Sequence, residues 1–295
     1  MAHILFVDGH NIAFRAYYGV GRLNRRDGFP TGALYGYAST VLRLEEAVHP
    51  EFSAAFFDSG RSVERTQLLP DYKAQRRPMP EELRLQLPQV RRLAGLMASA
   101  VVERPGVEAD DLLASQAVTE AKLGNSVAIA SSDKDFAQIV SPAITLWRPP
   151  AAGSHSFHWV PMGPDGVREK FAVEPSQIVD YLSLVGDAAD NVPGVPQVGP
   201  KTAAKWLNSY GSIEEILAHG DELPPNLAKN LREFASNLER NRRLISFDLS
   251  LCQTPMERHS FDWPALLEFF REFELFSLIE RATKRYGLQQ RDLFS

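Results

Sequence analysis

The chain has 295 residues, of which 44% are hydrophobic and 23% charged, the composition of an ordinary soluble globular protein. A single cysteine excludes an internal disulfide framework and a cysteine-based zinc site. No apolar stretch approaches the roughly 18 residues of a membrane-spanning helix, so no membrane association is expected. The N-terminus, MAHILFVDG, lacks the basic start and long apolar run of a signal peptide. We therefore expect a cytoplasmic protein.

Short apolar runs alternate with helical stretches in the first half of the chain. Strands are predicted at 3–7, 52–57, 126–130 and 143–147, and helices at 31–48, about 80–98 and about 108–123. Thr31 is the predicted N-cap of the first helix, and Gly124 ends the third. Such alternation predicts an α/β fold with a mostly parallel sheet flanked by helices.

From about residue 160 the pattern becomes mainly helical. Helices are predicted at 174–185, 213–219, 225–244 and 264–286. The sequence thus divides into an α/β core at 1–160 and a helical region at 161–295 that packs on it.

Nine acidic residues form five short clusters, and three of the nine directly follow predicted strands. They are Asp8, Asp58, Glu108, Asp110, Asp111, Asp133, Asp135, Asp187 and Asp190. Each cluster alone is readily explained as a helix cap or turn, and the GVEADD and SSDKD clusters are more often that than a metal site. However, the carboxyl ends of parallel strands share one sheet edge, so the joint pattern predicts convergence. Clustered carboxylates repel one another, and Mg²⁺ or Mn²⁺ offsets that cost, so a two-metal site is predicted.

The formal net charge of −5 is unusual for a protein that binds nucleic acid. Of the 37 acidic residues, setting these nine aside leaves 28 against 32 lysines and arginines. The remaining surface is then mildly basic, which is compatible with a polyanionic substrate.

Residues 192–207, VPGVPQVGPKTAAKWL, have the pattern of a helix–hairpin–helix element. A tight turn at 194–199 precedes a helix that begins at Pro200, a residue suited to the first helical position. Free N–H groups at such a helix start can hold a phosphate without reading a base. An αα-hairpin used only for packing is the alternative. The neighbouring polar side chains are Lys201, Thr202 and Lys205.

Residues 60–92, here called the basic segment, carry eight lysines and arginines against four acids. Such an excess suits a phosphate backbone, and Tyr72 beside Lys73 offers an aromatic face for stacking a base. A solvated basic surface is the alternative. The position of the segment directly after Asp58 favours one that arches over the acidic site.

Together these motifs resemble the 5′-nuclease family, which includes the 5′→3′ exonuclease domain of bacterial DNA polymerase I and the flap endonucleases. The resemblance runs from Asp8 to about Leu207 and implies a PIN-like core, a helical arch at about 60–100 and a C-terminal helix–three-turn–helix region. The segments that carry it are VDGHNIAFRAYY, GFPTGALYGY, FFDSGRSVERTQLLPDYKAQR, GVEADDLLA, SSDKDFAQIV, GDAADNVPGV and VGPKTA.

The resemblance implies a structure-specific nuclease that hydrolyses DNA at 5′ ends and 5′ flaps with two metal ions and leaves 5′-phosphates. Its expected substrate is branched or 5′-recessed duplex DNA, including RNA/DNA primers. A monomer with a DNA polymerase as partner is also expected. Two alternatives are a DNA-binding protein without catalysis and a PIN-type ribonuclease. The presence of all nine acids argues against the first, and the length of the chain against the second.

The resemblance also assigns residue roles. Asp8, Asp58, Glu108, Asp110 and Asp111 correspond to ligands of the first metal, and Asp133, Asp135, Asp187 and Asp190 to ligands of the second. The implied phosphate and DNA contacts are Lys73, Arg76, Arg15 and Tyr72. Further predicted DNA contacts are Arg77 in the basic segment and Lys201, Thr202 and Lys205 at the helix start. The backbone carbonyls of Val192, Val195 and Val198 correspond to a K⁺ site. Gln197 replaces a glycine that is usual in the family, so we expect strain there if this position needs a positive φ.

Overall fold

A computed structural model describes residues 2–60, 62–76, 78–98, 100–150 and 158–287. Within these ranges, a central six-stranded sheet has the order β3-β2-β1-β4-β5-β6. Its strands are parallel except β6, which runs antiparallel to β5. The prediction of a mostly parallel sheet is confirmed. The strands are β1 (His3–Asp8), β2 (Phe52–Phe56), β3 (Ala100–Val102), β4 (Ser126–Ala130), β5 (Ile144–Arg148) and β6 (Val160–Met162).

Helices cover both faces of this sheet, because alternate residues of its buried strands point to opposite sides. Ile4 and Phe6 of β1 belong to the core on one face, while Leu5 and Val7 belong to the core on the other. The helices of the first half are α1 (Gly9–Val20), α2 (Gly32–Val48), α3 (Val63–Leu68), α4 (Glu81–Met97) and α5 (Ala109–Lys122).

The helices of the second half lie on both faces. Those up to residue 245 share the core of α5, whereas the last two pack against α4 and α2 on the opposite face. The helices are α6 (Pro164–Phe171), α7 (Ile178–Val185), α8 (Pro200–Tyr210), α9 (Ile213–Ala218), α10 (Pro225–Ile245), α11 (Trp263–Glu272) and α12 (Phe276–Ala282). In the described ranges, none has the length and apolarity needed to cross a bilayer.

Several elements differ from the sequence predictions. The predicted helix at 264–286 is two helices, because the left-handed backbone of Glu274 (φ 56°) interrupts it between α11 and α12. The edge strands β3 and β6 have only three residues each, too few to show a periodicity. α1 was also not predicted, since it begins directly where β1 ends.

The residues predicted to arch over the site divide into two parts. α4 packs into the core against α2, α11 and the sheet. α3 and the turn at 69–76 contact the second half of the chain instead: Arg65 of α3 donates to the carbonyl of Leu244, and the amide of Lys73 donates to the carbonyl of Asp190. The part of the basic segment that joins the second half of the chain is therefore α3 with this turn.

The helix–hairpin–helix arrangement predicted at 192–207 is present. α7 leads into a short antiparallel pair, β7 (Gly186–Asp187) and β8 (Val192–Pro193), and residues 194–199 turn into α8. α10 supports the hairpin (residues 192–199): Asn241 donates to the carbonyl of Pro193 and Asn230 to that of Pro196. A side chain at Gly194 would collide with the backbone of Val185, which explains the glycine there.

Gln197 has a φ of 66°, the left-handed conformation anticipated for the position where the family has glycine. That conformation costs a residue with a Cβ about 1–2 kcal/mol, whereas glycine loses only about 0.5–1 kcal/mol of additional chain entropy. We therefore expect Gln197→Gly to raise the free energy of unfolding by about 0.5–1 kcal/mol in urea denaturation. Gln197→Ala is the control, since it keeps the strain and loses the hydrogen bond from Asn226. Equal stability of the two variants would contradict the expectation.

Candidate metal centre

The ends of β1 and β4 bring two of the predicted ligands together. Asp8 is the last residue of β1 and the N-cap of α1, where its Oδ1 accepts from the amide of Asn11 at 3.1 Å. The hydroxyl of Ser131 donates to Asp8 Oδ2 at 2.7 Å, and the amide of Asp133 donates to the Ser131 Oγ at 3.0 Å. One serine thus links the two aspartates.

Asp58 joins this group after the end of β2. Its Oδ1 accepts from the amide of Ala109, at the first turn of α5, at 2.8 Å, so a helix start stabilises the carboxylate. The amide of Asp58 donates to His10 Nδ1 at 3.0 Å. Burial lowers the pKa of His10, which agrees with Nδ1 as an acceptor on a neutral ring.

A second group of carboxylates lies at the start of the hairpin region. One carboxylate oxygen from each of Asp135, Asp187 and Asp190 lies within 4.8 Å of the others. The Oδ1 of Asp135 is buried and accepts no hydrogen bond from the residues that the structure describes, and the Nζ of Lys134 lies 2.8 Å from Asp187 Oδ1. An oxygen-only donor set with an unpartnered buried oxygen fits a hard divalent cation.

Burial and mutual repulsion dominate the electrostatics of the site. Burial raises the pKa of Asp8 to about 7, against the hydrogen bonds from Ser131 and Asn11 that favour its ionised form. Burial likewise raises the pKa of Asp110, Asp133 and Asp135, and neighbouring carboxylates raise it further in each case. A divalent cation would offset this repulsion, so the residues present fit the predicted metal ions.

Two of the predicted ligands, Glu108 and Asp111, lie against an arginine. The guanidinium of Arg65 is 2.6 Å from Glu108 Oε2 and 2.7 Å from Asp111 Oδ2. Burial alone would raise the pKa of Glu108, but Lys73 and Arg65 lower it. The structure thus pairs these two carboxylates with cations of the chain, and their roles as metal ligands stay predictions.

The predicted phosphate-contacting pair borders the carboxylates. Lys73 Nζ lies 2.9 Å from Glu108 Oε2 and 3.8 Å from Asp190 Oδ2. Arg76 Nη2 lies 2.7 Å from Asp190 Oδ1 with its side chain 56% exposed. Burial alone would lower the pKa of Lys73, but Glu108, Tyr72 and Asp190 raise it above its usual range. Both side chains are therefore cationic and adjacent to the site.

Tyr72 differs from a freely exposed stacking platform. It is only 7% exposed and packs in the core, with Lys73 Nζ 4.9 Å from its ring centroid. Its hydroxyl donates to Asp190 Oδ2 at 3.3 Å. A base-stacking role for Tyr72 stays a prediction and would require the ring to be uncovered.

Five further contacts were predicted: Arg15, Arg77, Lys201, Thr202 and Lys205. Arg15 is exposed on α1 and lines a groove of about 1380 Å³ that also includes Asp8, Asp58, Asp110 and Asp133. Arg77 lies outside the residues that the structure describes. At the start of α8, Lys201 and Lys205 are exposed and Thr202 is half-buried.

Sequence reasoning missed four residues that shape the site: His10, Arg65, Ser131 and Lys134. Ser131 and Lys134 lie inside the motif SSDKD, so their closeness to the acids along the chain was the available signal. His10 and Arg65 meet partners that are between 43 and 48 residues away in sequence. Only the folded chain identifies such pairs.

Comparison with known proteins agrees with this architecture. Residues 3–172 match a family model described as "5'-3' exonuclease, N-terminal resolvase-like domain", and residues 173–263 match "5'-3' exonuclease, C-terminal SAM fold". A 5'-3' exonuclease of Aquifex aeolicus is 32% identical over 299 residues, which cover 100% of both chains. DNA polymerase I of Mycobacterium tuberculosis is 35% identical over 256 residues, which are 85% of this chain but only 28% of the polymerase.

Solved structures share the fold at lower sequence identity. The 5'-exonuclease of T5 with bound zinc has a TM-score of 0.69 at 22% identity, over 92% of this chain and 98% of that one. The catalytic core of Rad2 in complex with DNA substrate has a TM-score of 0.59 at 14% identity, over 96% and 90% of the two chains. From the two family matches and the full-length relative, the chain belongs to the 5'-3' exonuclease family.

Proposed function

We propose that the chain is a structure-specific 5′ nuclease that hydrolyses DNA phosphodiesters at 5′ ends and 5′ flaps and leaves 5′-phosphates. The observation that carries this proposal is the convergence of buried aspartates with raised pKa values at one sheet edge. Such a site is costly for stability unless cations occupy it, and it lies beside cationic side chains suited to a phosphate. Membership of the 5'-3' exonuclease family supports the reaction class.

The ions are proposed to be two Mg²⁺ or Mn²⁺. Asp8, Asp58, Glu108, Asp110 and Asp111 would hold one, and Asp133, Asp135, Asp187 and Asp190 the other, with oxygen as the only ligand atom type. When bound, such ions lower the pKa of an attacking water and neutralise the oxygens of the phosphate.

The contribution of the protein's own residues is charge and position. Lys73 and Arg76 are held beside the carboxylates by Glu108 and Asp190, so both cations would border a phosphate bound at the metal centre. Preorganised cations stabilise the negative charge that develops on a phosphodiester during hydrolysis. The left-handed backbone of Lys73 (φ 55°), fixed by its hydrogen bond to the Asp190 carbonyl, sets the direction of that side chain.

The hairpin and the start of α8 are proposed to hold the duplex next to the cut. The backbone N–H groups of Lys201 and Thr202 in the first turn of α8, and the exposed side chains of Lys201 and Lys205, offer phosphate contacts that carry no base specificity. We also propose that the backbone carbonyls of Val192, Val195 and Val198 bind a K⁺ ion that helps to hold the duplex. Duplex affinity should then be higher in KCl than in NaCl at equal ionic strength, and equal affinities would remove the K⁺ assignment.

Branched or 5′-recessed duplex DNA, including RNA/DNA primers, is the proposed substrate, with the chain acting as a monomer. Because the polymerase I relatives carry a matching region within a longer chain, a DNA polymerase is the proposed partner. Adding a polymerase that lacks 5′ nuclease activity to a gapped template should increase the yield of ligatable nicks. Light scattering would measure the oligomeric state.

Cleavage of one end-labelled 5′-flap DNA tests the proposal. We expect a cut near the junction of single and double strand in Mg²⁺, no cut in EDTA, and a product that a ligase seals because it carries a 5′-phosphate. A parallel flap made of RNA separates a DNA nuclease from a PIN-type ribonuclease. Tight binding of the flap without any cleavage in Mg²⁺ or Mn²⁺ would contradict the proposal.

Lys73→Ala should lower the single-turnover rate constant at saturating DNA by about 10²–10³-fold, because one preorganised cation at the phosphate is lost. Lys201→Ala is the matched control: it should weaken duplex binding while leaving the rate constant at saturation unchanged. Rapid-quench kinetics measure both quantities. If the two variants show the same pattern, Lys73 acts only in binding.

A further inference from the structure

The environment of Arg65 suggests a role for Asp111 other than metal binding. Arg65 is 7% exposed, and all three of its nitrogens have partners. Nη1 lies 2.6 Å from Glu108 Oε2 and 2.7 Å from Asp111 Oδ2, and Nη2 lies 2.8 Å from Asp111 Oδ1. Asp111 therefore holds the guanidinium by both oxygens, the strongest geometry for such a pair.

The remaining hydrogen bonds of this pair lead to the end of α10. Arg65 Nε donates to the carbonyl of Leu244 at 3.1 Å, and Nη2 donates to that of Ser246 at 3.0 Å. Asp111 Oδ1 also accepts from the amide of Asp248 at 3.0 Å. Both oxygens of Asp111 are thus occupied by donors of the protein, and the side chain is directed towards the chain that follows α10.

The aspartates of the metal centre behave differently. The carboxylates of Asp8, Asp110 and Asp133 repel one another. Asp58 also repels Asp8 and Asp110, and Asp187 and Asp190 also repel Asp133. On the helix, residues one position apart do not share a face, so Asp110 can face the centre while Asp111 faces Arg65.

We infer that Asp111 does not ligate a metal ion but is the counter-ion of Arg65, and that Arg65 is a positioning residue that fixes Glu108 at the site. The buried Arg65–Asp111 pair anchors Glu108 between Arg65 and Lys73 and ties α5 to the end of α10. Because α10 also supports the hairpin through Asn230 and Asn241, one helix joins the carboxylates to the proposed duplex contact. The inference rests on the proposed function for its activity readout only.

Metal binding tests the first half of the inference without any DNA. Calorimetric titration with Mn²⁺ should give Asp111→Asn the stoichiometry of the wild type and an affinity within about twofold. The matched variant Asp110→Asn, one residue away, should bind Mn²⁺ more than about tenfold more weakly than the wild type. Equal losses in both variants would make Asp111 a metal ligand and overturn the inference. Because no substrate is involved, this result is independent of whether the chain proves to be a nuclease.

Kinetics test the positioning role. Asp111→Asn and Arg65→Lys should each lower kcat by about 10–100-fold, the usual effect of removing a group that orients a catalytic residue, with KM for flap DNA unchanged. A loss confined to KM, or no loss, would contradict positioning. If the wild type fails to cleave any flap, the proposed function fails while the Mn²⁺ result stands.

A paired apolar replacement separates positioning from stability. Asp111→Leu alone removes the two-oxygen partner of the buried Arg65 and leaves it only Glu108, which it shares with Lys73, so Tm should fall by on the order of 10 °C. In the double variant Arg65→Met with Asp111→Leu, the buried charges are both gone, so most of the Tm should return while kcat stays low. Recovery of both Tm and kcat would mean that the pair only stabilises the fold. If the double variant does not fold, Arg65→Lys and Asp111→Asn still decide the question.

Discussion

Asp133→Asn is expected to lower the single-turnover rate constant for 5′-flap cleavage in saturating Mg²⁺ by about 10³-fold, the upper range for loss of one electrostatic group at a reacting centre. Asp133 lies next to Asp8 through Ser131 and repels Asp110 and Asp135, so its charge belongs to the shared centre. Asparagine has the same shape and keeps the oxygen that accepts from the amide of Asp135. The local turn should therefore survive while one negative charge is lost.

The control for this prediction is Asp221→Asn. Asp221 lies in the second half of the chain, where it forms an ion pair with Arg232, and its side chain is 97% exposed. The same chemical change there should leave the rate constant unchanged. Circular dichroism of both variants checks the fold. A reduction of less than about threefold at Asp133 would show that its carboxylate does not take part in the centre.

The second large effect is a pH dependence of stability in the metal-free protein. Burial raises the pKa of Asp8 from 3.8 to about 7. Between these pH values the folded protein keeps a proton that the unfolded chain has lost, so stability falls as pH rises. The contribution of Asp8 to the free energy of unfolding is fully present below about pH 4 and is lost by about pH 7. Its size for Asp8 alone is on the order of 4 kcal/mol, from about 1.4 kcal/mol for each unit of pKa.

Asp8→Asn should remove this dependence, because the amide has no proton to lose and asparagine caps a helix as well as aspartate does. In EDTA, urea denaturation should give the variant and the wild type similar stability at pH 4 and the variant about 4 kcal/mol more at pH 8. Added Mg²⁺ should stabilise the wild type and narrow the difference. If the difference in free energy of unfolding between Asp8→Asn and the wild type did not change with pH, the assignment of the pH dependence to Asp8 would be wrong. The control variant Asp221→Asn should show no such pH-dependent difference from the wild type.

The sheet and the convergence of the acids could be predicted because both depend on local patterns. Apolar runs of about five residues that end at an acid identify β1, β2 and β4, and parallel pairing then places Asp8, Asp58 and Asp133 at one edge. The strained turn at Gln197 could be predicted only through the family resemblance, since a residue with a Cβ occupies a position where the family has glycine.

The partners of the charged side chains could not be predicted, because they depend on contacts between distant parts of the chain. The basic segment was correctly expected near the acids, yet nothing in its composition distinguishes the buried Arg65 from the exposed Arg76. Tyr72 was expected to face a base, whereas its ring packs in the core. Whether a side chain on the turn at 69–76 is buried depends on how that turn packs against α10 and the hairpin.

The centre is assembled from both halves of the chain. Asp8 and Asp135 belong to the N-terminal domain match, whereas Asp187 and Asp190 belong to the C-terminal one, and the two sets meet within 4.8 Å at Asp135. During synthesis, the first half therefore leaves the ribosome without a complete donor set. A fragment produced by cleavage between the halves lacks a complete donor set as well. Under the proposed function, cleavage of DNA would therefore require both halves of the chain to be folded together.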